Sequence, residues 1–364
     1  MVGASVPAGA AGRPAWPPLP WLTDALQHAL RAGAAHALLV HGPAGVGQFD
    51  LAMALSAVWL CESAGRRPGD PPCGVCAGCR LWRARSHPDL LMLLPDADRD
   101  DLGWALRSAD GDEGGDKASR KKPSKEIRVE AIRDAIAFAS TTSSRGWGKV
   151  VVIHPAERMN PVSANAFLKT LEEPPGAARF VLCTASPDAL LPTIRSRCQA
   201  ISIAVPAADV ATAWLAEQGV ADPAMLLAAC GGQPQEVATR LKHGLDAVSW
   251  NALPRRVAAG DAGALRGWPL PMVVDALQKL CHDALAAACG APPRYFPQSA
   301  LGAPPALASL LGWARELARV ARDADHPWNL ELTVETLVEQ GREALNTPRS
   351  VRAGERADSL HSRR

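Results

Sequence analysis

A glycine-rich loop constrains the fold of this chain more than any other feature of its sequence. Residues 42–49 read Gly-Pro-Ala-Gly-Val-Gly-Gln-Phe, which keeps the glycine spacing of the phosphate-binding motif G-x-x-x-x-G-K-[ST]. A short apolar run, Ala37–His41, leads into the loop, and residues 48–61 have helical spacing after it. Strand, glycine loop and helix in this order predict an α/β fold of the nucleotide-binding type.

The loop has the glycines of the motif but not its chemical groups. Gly42, Gly45 and Gly47 are in place. Gln48 stands where a lysine would neutralise phosphate charge, and Phe49 stands where a hydroxyl would bind magnesium. The loop is therefore predicted to be a degenerate cofactor site.

The acidic motif that completes such a site is also missing. It should follow the apolar run at residues 149–153, but the next two residues are His154 and Pro155. Neutral imidazole is a poor ligand for Mg²⁺, which prefers oxygen, and proline offers no base. We expect the chain to bind ATP weakly or not at all, and to have no ATPase activity of its own.

Alternating short apolar runs and helical segments predict the rest of the first domain. The helices are expected at residues 129–140, 161–172 and 188–195, and the strands at residues 89–94, 149–153, 179–184 and 199–203. This alternation predicts a parallel sheet with helices on both faces. After residue 206 only helical spacing remains, which predicts all-α domains.

These patterns predict a domain organisation with a disordered extension at each end. The expected parts are a disordered extension (1–20), an α/β domain (21–205) with a cysteine module (61–79) and a flexible insertion (95–125), a helical lid (206–248), a helical collar (249–346) and a disordered tail (347–364). The net charge of +2 and the mixed charges do not indicate a stand-alone nucleic-acid binder. We expect a cytoplasmic protein without a membrane segment, because no apolar run is long enough to span a bilayer.

Four of the nine cysteines cluster at a spacing typical of a metal site. Cys61 is followed after eleven residues by Cys73, Cys76 and Cys79. Four thiolates favour a structural Zn²⁺, with no open position for catalysis. An iron–sulfur cluster and a redox dithiol are the alternatives, and His87 is an alternative ligand.

Two further segments give the chain its family resemblance. Residues 163–175 read Ser-Ala-Asn-Ala-Phe-Leu-Lys-Thr-Leu-Glu-Glu-Pro-Pro, and residues 196–198 read Ser-Arg-Cys. Together with the cysteine module, these segments resemble bacterial clamp-loader subunits of the AAA+ class. Degenerate phosphate motifs beside an intact Ser-Arg-Cys are similar to the delta-prime type of subunit in DNA polymerase III.

The resemblance implies a role in DNA replication. It implies an AAA+ P-loop-type domain, a lid and a collar, held in a ring of five subunits with gamma/tau ATPase and delta subunits. That ring loads the sliding clamp on primed DNA as part of the polymerase holoenzyme. Arg197 would then be an arginine finger that reaches the ATP site of a neighbouring subunit.

Alternative interpretations remain open at this point. Arg197 could be a cation that only satisfies a helix end, an interpretation that fits Arg195 better. The chain could also be a working clamp-loader-type ATPase that tolerates Gln48, or a zinc-stabilised scaffold outside replication.

Overall fold

The computed structural model describes residues 17–31, 35–65, 67, 70–100, 102–104, 123–323 and 328–348. Most of the predicted N-terminal extension, the core of the predicted insertion and most of the predicted tail lie outside these residues. The chain divides into two compact units, Met1–Pro206 and Ala207–Arg364, and each is described here by itself.

The first unit is built on a sheet of five parallel strands. The strands are β1 (Ala37–His41), β2 (Leu90–Leu93), β3 (Lys149–Ile153), β4 (Ala178–Thr184) and β5 (Gln199–Ser202). Their order in the sheet is β2-β3-β4-β1-β5, so β1 pairs with β4 on one side and β5 on the other. The apolar run of β3 is buried along its whole length, as expected of a strand covered on both faces.

Helices cover both faces of this sheet, as the sequence predicted. Those of the first unit are α1 (Thr23–Arg31), α2 (Gln48–Trp59), α3 (Ala77–Arg83), α4 (Val129–Ser140), α5 (Pro161–Glu172) and α6 (Pro192–Arg195). Val151 and Phe180 share one apolar cluster with Ile132 of α4 and Phe167 of α5. Cys183 lies three residues after Phe180 in β4 and therefore faces the opposite side of the sheet. Its thiol donates to the backbone carbonyl of Gln48 at the start of α2. The predicted parallel α/β fold class is confirmed.

The helix predicted over residues 188–195 is wrong in its extent. The structure has a 3-10 turn at Pro187–Ala189 and then the four-residue α6. Leu191 between them is extended, with φ −55° and ψ 133°. The residue before a proline is disfavoured from the helical region, so Pro192 starts a new helix instead of continuing one.

The second unit is all helical and has one continuous core. Its helices are α7 (Ala208–Glu217), α8 (Pro223–Ala229), α9 (Pro234–Lys242), α10 (Ala247–Ala258), α11 (Leu270–Ala288), α12 (Leu307–Arg322) and α13 (Leu330–Asn346). Trp250 of α10 is fully buried and stacks on Phe296 with ring centroids 4.3 Å apart. Across the described part of both units, no helix is long and apolar enough to cross a membrane.

The division of this unit into a lid and a collar stays a prediction. The boundary expected between residues 248 and 249 falls inside α10, which begins at Ala247. The Asp246 carboxylate caps that helix by accepting from the N–H of Ser249, and the Ser249 hydroxyl accepts a hydrogen bond from the N–H of Asp246. The expected boundary would therefore cut a continuous, capped helix.

Candidate functional site

The motifs singled out in the sequence meet at one edge of the sheet. The glycine loop follows β1, His154 follows β3, and Thr184 is the last residue of β4. Parallel strands place their carboxyl ends at the same edge, which is where ligands bind in open α/β sheets. The topology thus brings together the predicted remnants of a nucleotide site.

The backbone itself explains why the glycines of the loop are kept. Gly45 and Gly47 have φ values of 70° and 101°, a region that disfavours side chains. A Cβ atom on Gly42 would lie 2.3 Å from the backbone oxygen of Ile203, just after β5. All three glycines are required by the fold, so their presence is no sign of a bound phosphate.

Gln48 fills the loop from the inside. The side chain is buried, and its Nε2 donates hydrogen bonds to the carbonyl oxygens of Gly42 and Pro43, each at 2.7 Å. Both amide hydrogens are therefore used within the loop. The residue at the lysine position supplies no charge, and its donors hold the loop in shape.

Phe49 and His154 occupy the two positions from which the motifs would hold magnesium, and they contact each other. Their ring centroids are 5.2 Å apart at an interplanar angle of 46°. Burial lowers the pKa of His154 to about 4, so the ring is neutral at physiological pH. An aromatic contact stands in place of a cation site.

Neighbouring polar side chains at this edge accept hydrogen bonds from backbone N–H groups. Glu157 accepts a hydrogen bond from the N–H of Ala185 at 3.1 Å, and Thr184 accepts one from the N–H of Ser186 at 3.0 Å. Glu157 lies in the 3-10 turn Ala156–Arg158 after β3. Its contact with the segment after β4 joins residues 28 apart, and no local pattern signals it.

Arg197 lies just after α6 and is bonded to the end of α5. Its Nε donates to Oε1 of Glu172 at 2.7 Å, and its Nη2 contacts the same oxygen. Its Nη1 donates to the carbonyl oxygen of Thr193 at 3.0 Å, which is the contact expected of a helix-end cation. Arg195 forms a separate ion pair with Asp188 at 2.6 Å.

The four clustered cysteines form a group that could hold a metal ion. Their sulfur atoms all lie within 4.8 Å of one another, with Cys61–Cys76 at 4.0 Å and Cys73–Cys79 at 3.9 Å. A tetrahedral Zn²⁺ with Zn–S bonds of about 2.3 Å would hold its sulfurs roughly 3.8 Å apart. The donor set and its spacing fit such an ion.

Backbone amides around the cluster favour thiolates. The N–H groups of Cys73, Cys76 and Cys79 donate to the sulfurs of Cys61, Cys73 and Cys76, each at 3.3 Å. Burial opposes ionisation of the Cys73 thiol, but N–H donors of Val75 and Cys76 outweigh it and lower its pKa to about 6. Burial raises the pKa of the Cys79 thiol.

Tertiary contacts tie the cysteine module to the sheet. Glu62, next to Cys61, forms a two-point ion pair with Arg145, whose Nη2 lies 3.0 Å from Oε2 of Glu62. The backbone N–H of Arg145 also donates to Asp89, which is completely buried before β2. His87, the alternative ligand, accepts the N–H of Asp89 at 3.1 Å and is not in the metal-binding group.

The partly buried His154 predicts acid sensitivity of the first unit. Its pKa is lowered from 6.5 to about 4, so below the ordinary value the unfolded chain binds a proton that the folded chain rejects. The part of the free energy of unfolding that depends on a neutral His154 is therefore fully present above about pH 6.5 and is lost as pH falls toward 4. Urea unfolding should show about 2 kcal/mol less stability attributable to this site at about pH 5 than at about pH 7.

The variant His154→Phe isolates this contribution from other titrating groups. It should remove about 2 kcal/mol of the pH dependence, while the control His28→Ala, on the exposed side of α1, should leave it unchanged. Equal pH dependence in wild type and His154→Phe would contradict a His154 ring that stays neutral in the folded chain.

Comparison with known proteins places the chain in a family. The family model described as "DNA polymerase III, delta subunit" matches residues 20–207. The DNA polymerase III subunit delta′ of Pseudomonas aeruginosa is 36% identical over 259 residues, which cover 67% of this chain and 70% of that protein. The subunit delta′ of Escherichia coli K12 is 29% identical over 282 residues, covering 71% and 76% respectively.

The similarity extends to a second kind of DNA polymerase III subunit over a shorter stretch. The DNA polymerase III subunit tau of Salmonella typhimurium is 34% identical over 163 residues, which cover 45% of this chain and 21% of tau. The family match spans the sheet, the glycine loop, the cysteine cluster and Arg197. The chain belongs to the DNA polymerase III delta′ family.

Proposed function

We propose that this chain is a clamp-loader subunit without ATPase activity of its own that supplies Arg197 to the ATP site of a neighbouring subunit. The observation that carries this proposal is the contrast between the carboxyl ends of the strands, where the nucleotide motifs lie, and the start of β5, where Arg197 lies. The cation and magnesium positions are filled by Gln48, Phe49 and His154, whereas the arginine of the Ser-Arg-Cys segment is intact and 31% exposed.

The chemistry of an arginine suits this task. A guanidinium offers several N–H donors in a plane and can stabilise the charge that develops on a transferred phosphoryl group. The side chain is long enough to cross an interface from the end of α6. Fingers supplied in trans raise hydrolysis rates by about 10³–10⁵ in GTPase systems.

The proposed partners follow from the family. They are gamma/tau-type ATPase subunits, delta, the sliding clamp and primed DNA. Part of this chain is itself similar to a tau subunit. Such work would place the chain in the cytoplasm. The helical second unit, with its large apolar core, suits a collar that holds a ring together.

A second proposal concerns the cysteine cluster, which we infer holds a structural Zn²⁺. Cys61, Cys73, Cys76 and Cys79 would be the four ligands, leaving no open coordination position. The spacing of the sulfur atoms and the N–H donors to sulfur support this assignment. The ion would fasten the α2–α3 connection and would supply no step of catalysis.

The trans role of Arg197 predicts that replacing this arginine disables one ATP site of the complex. In a reconstituted clamp-loader complex with clamp and primed DNA, Arg197→Ala should slow hydrolysis at the served site by about 10³ or more. In single-turnover experiments, the amplitude of the fast phase of ATP hydrolysis should fall by the fraction that the served site contributes. The complex should stay assembled. Arg195→Ala, bonded to Asp188 instead, is the matched control and should retain the full amplitude. An unchanged amplitude with Arg197→Ala would reduce this residue to a helix-end cation.

The filled nucleotide site predicts that the purified chain is inactive. We expect no ATP hydrolysis above background and no tight binding of Mg-ATP, because Gln48 provides no charge and Phe49 no metal ligand. Phosphate release by the isolated chain is the measurement. Hydrolysis that disappears with Gln48→Ala would instead identify a working ATPase.

Metal content tests the zinc assignment. We expect about one Zn²⁺ per chain by elemental analysis, lost in Cys76→Ser together with a drop of at least about 5 °C in Tm. Cys289→Ser changes an exposed cysteine outside the cluster and should keep both values. Iron with visible absorption, or no metal at full Tm, would contradict a zinc site.

A further inference from the structure

In this chain the guanidinium of Arg197 has a partner at every nitrogen. Nε and Nη2 both contact Oε1 of Glu172, and Nη1 donates to the carbonyl oxygen of Thr193, with a longer contact of 3.4 Å to Oγ of Ser196. The side-on edge of the guanidinium therefore faces a carboxylate. One nitrogen of its other edge is held by the helix end.

These contacts conflict with binding a phosphate. A two-point contact between arginine and a phosphate needs two N–H groups on one edge. The Nε–Nη2 edge of Arg197, which would make the side-on contact with a phosphate, is taken by Glu172, and one N–H of Nη1 is used by Thr193. A phosphate placed beside the paired arginine would also meet the negative charge of Glu172 at short range.

We propose that Glu172 is a positioning residue that keeps Arg197 stowed against the end of α5 until a nucleotide phosphate displaces it. The inference rests on the proposed trans role of Arg197. The carboxylate carries one negative charge and a terminal phosphate carries more, so a correctly placed nucleotide wins the competition for the guanidinium. Arg197 is therefore released only when the neighbouring subunit's site has closed around its ATP.

The position of Glu172 suits a latch of this kind. It is the last residue of α5, whose first turn is capped by Asn160 and whose inner face buries Phe167 and Leu171. The helix therefore holds the carboxylate at a constant place. The pair itself is open to solvent, since 48% of the Glu172 side chain is exposed. An exposed ion pair is weak enough to be opened by a competing anion.

The variant Glu172→Gln tests the latch, because it keeps the side-chain size and removes the charge. In the reconstituted complex without clamp or DNA, ATP hydrolysis should rise about two- to fivefold, the range expected when an exposed ion pair is opened. The gain should be in kcat with KM for ATP little changed, and it should shrink at high salt. Clamp and DNA should then stimulate the variant less than wild type.

The adjacent residue provides the matched control. Glu173→Gln removes an equally exposed charge one position later, whose carboxylate is not bonded to Arg197. It should leave the basal rate, the stimulated rate and the salt dependence as in wild type. A rise of equal size in Glu173→Gln would assign the effect to general surface charge and overturn the latch.

Arg197→Ala in both backgrounds separates the two proposals. If stowing is the cause, Arg197→Ala and the double variant with Glu172→Gln should have the same low rate, because no finger remains to be released. A Glu172→Gln rate at or below wild type, with Arg197→Ala strongly impaired, would overturn the latch alone. An Arg197→Ala rate equal to wild type would overturn the trans role, and the latch with it.

Discussion

The pairing of β1 with both β4 and β5 is the constraint on which the rest of the first unit depends. It places β1 inside the sheet and sends the glycine loop out at the edge where β3 and β4 also end. The loop passes so close to Ile203 that only glycine fits at position 42. A fold of this kind keeps the outline of a phosphate-binding loop for steric reasons, whether or not a phosphate binds there.

Side chains of the chain itself occupy this site. In a working loop a bound nucleotide and its magnesium would satisfy the polar groups and balance the charges. Here the amide of Gln48 bonds the loop carbonyls, and Phe49 packs on a neutral His154. These side chains of the chain itself hold the loop in shape. Arg197 lies just after a different helix and is paired with Glu172.

The cysteine module is fastened to the same sheet by polar contacts of long sequence separation. Glu62 pairs with Arg145, whose backbone is held by the buried Asp89, and the indole of Trp82 donates to Ser56 on α2. Loss of the module's internal order would therefore reach both the helix after the glycine loop and the connection before β3. Buried, hydrogen-bonded carboxylates such as Asp89 are costly to leave unpaired, so these contacts act together.

The sequence by itself determined the parallel α/β fold, the loss of the phosphate and magnesium groups, and the four cysteines, because each depends on residue type at short spacing. Apolar runs, glycine positions and C-x-x-C turns are local patterns. Only the tertiary structure decided what replaces the missing groups: Phe49 meets His154, Glu157 reaches Ala185, and Glu172 bonds Arg197 across 25 residues. The helix predicted over residues 188–195 was wrong because its apolar spacing was given more weight than Pro192, which disfavours a helical conformation at Leu191. Contacts between distant residues follow from how strands and helices pack, and no local pattern encodes them.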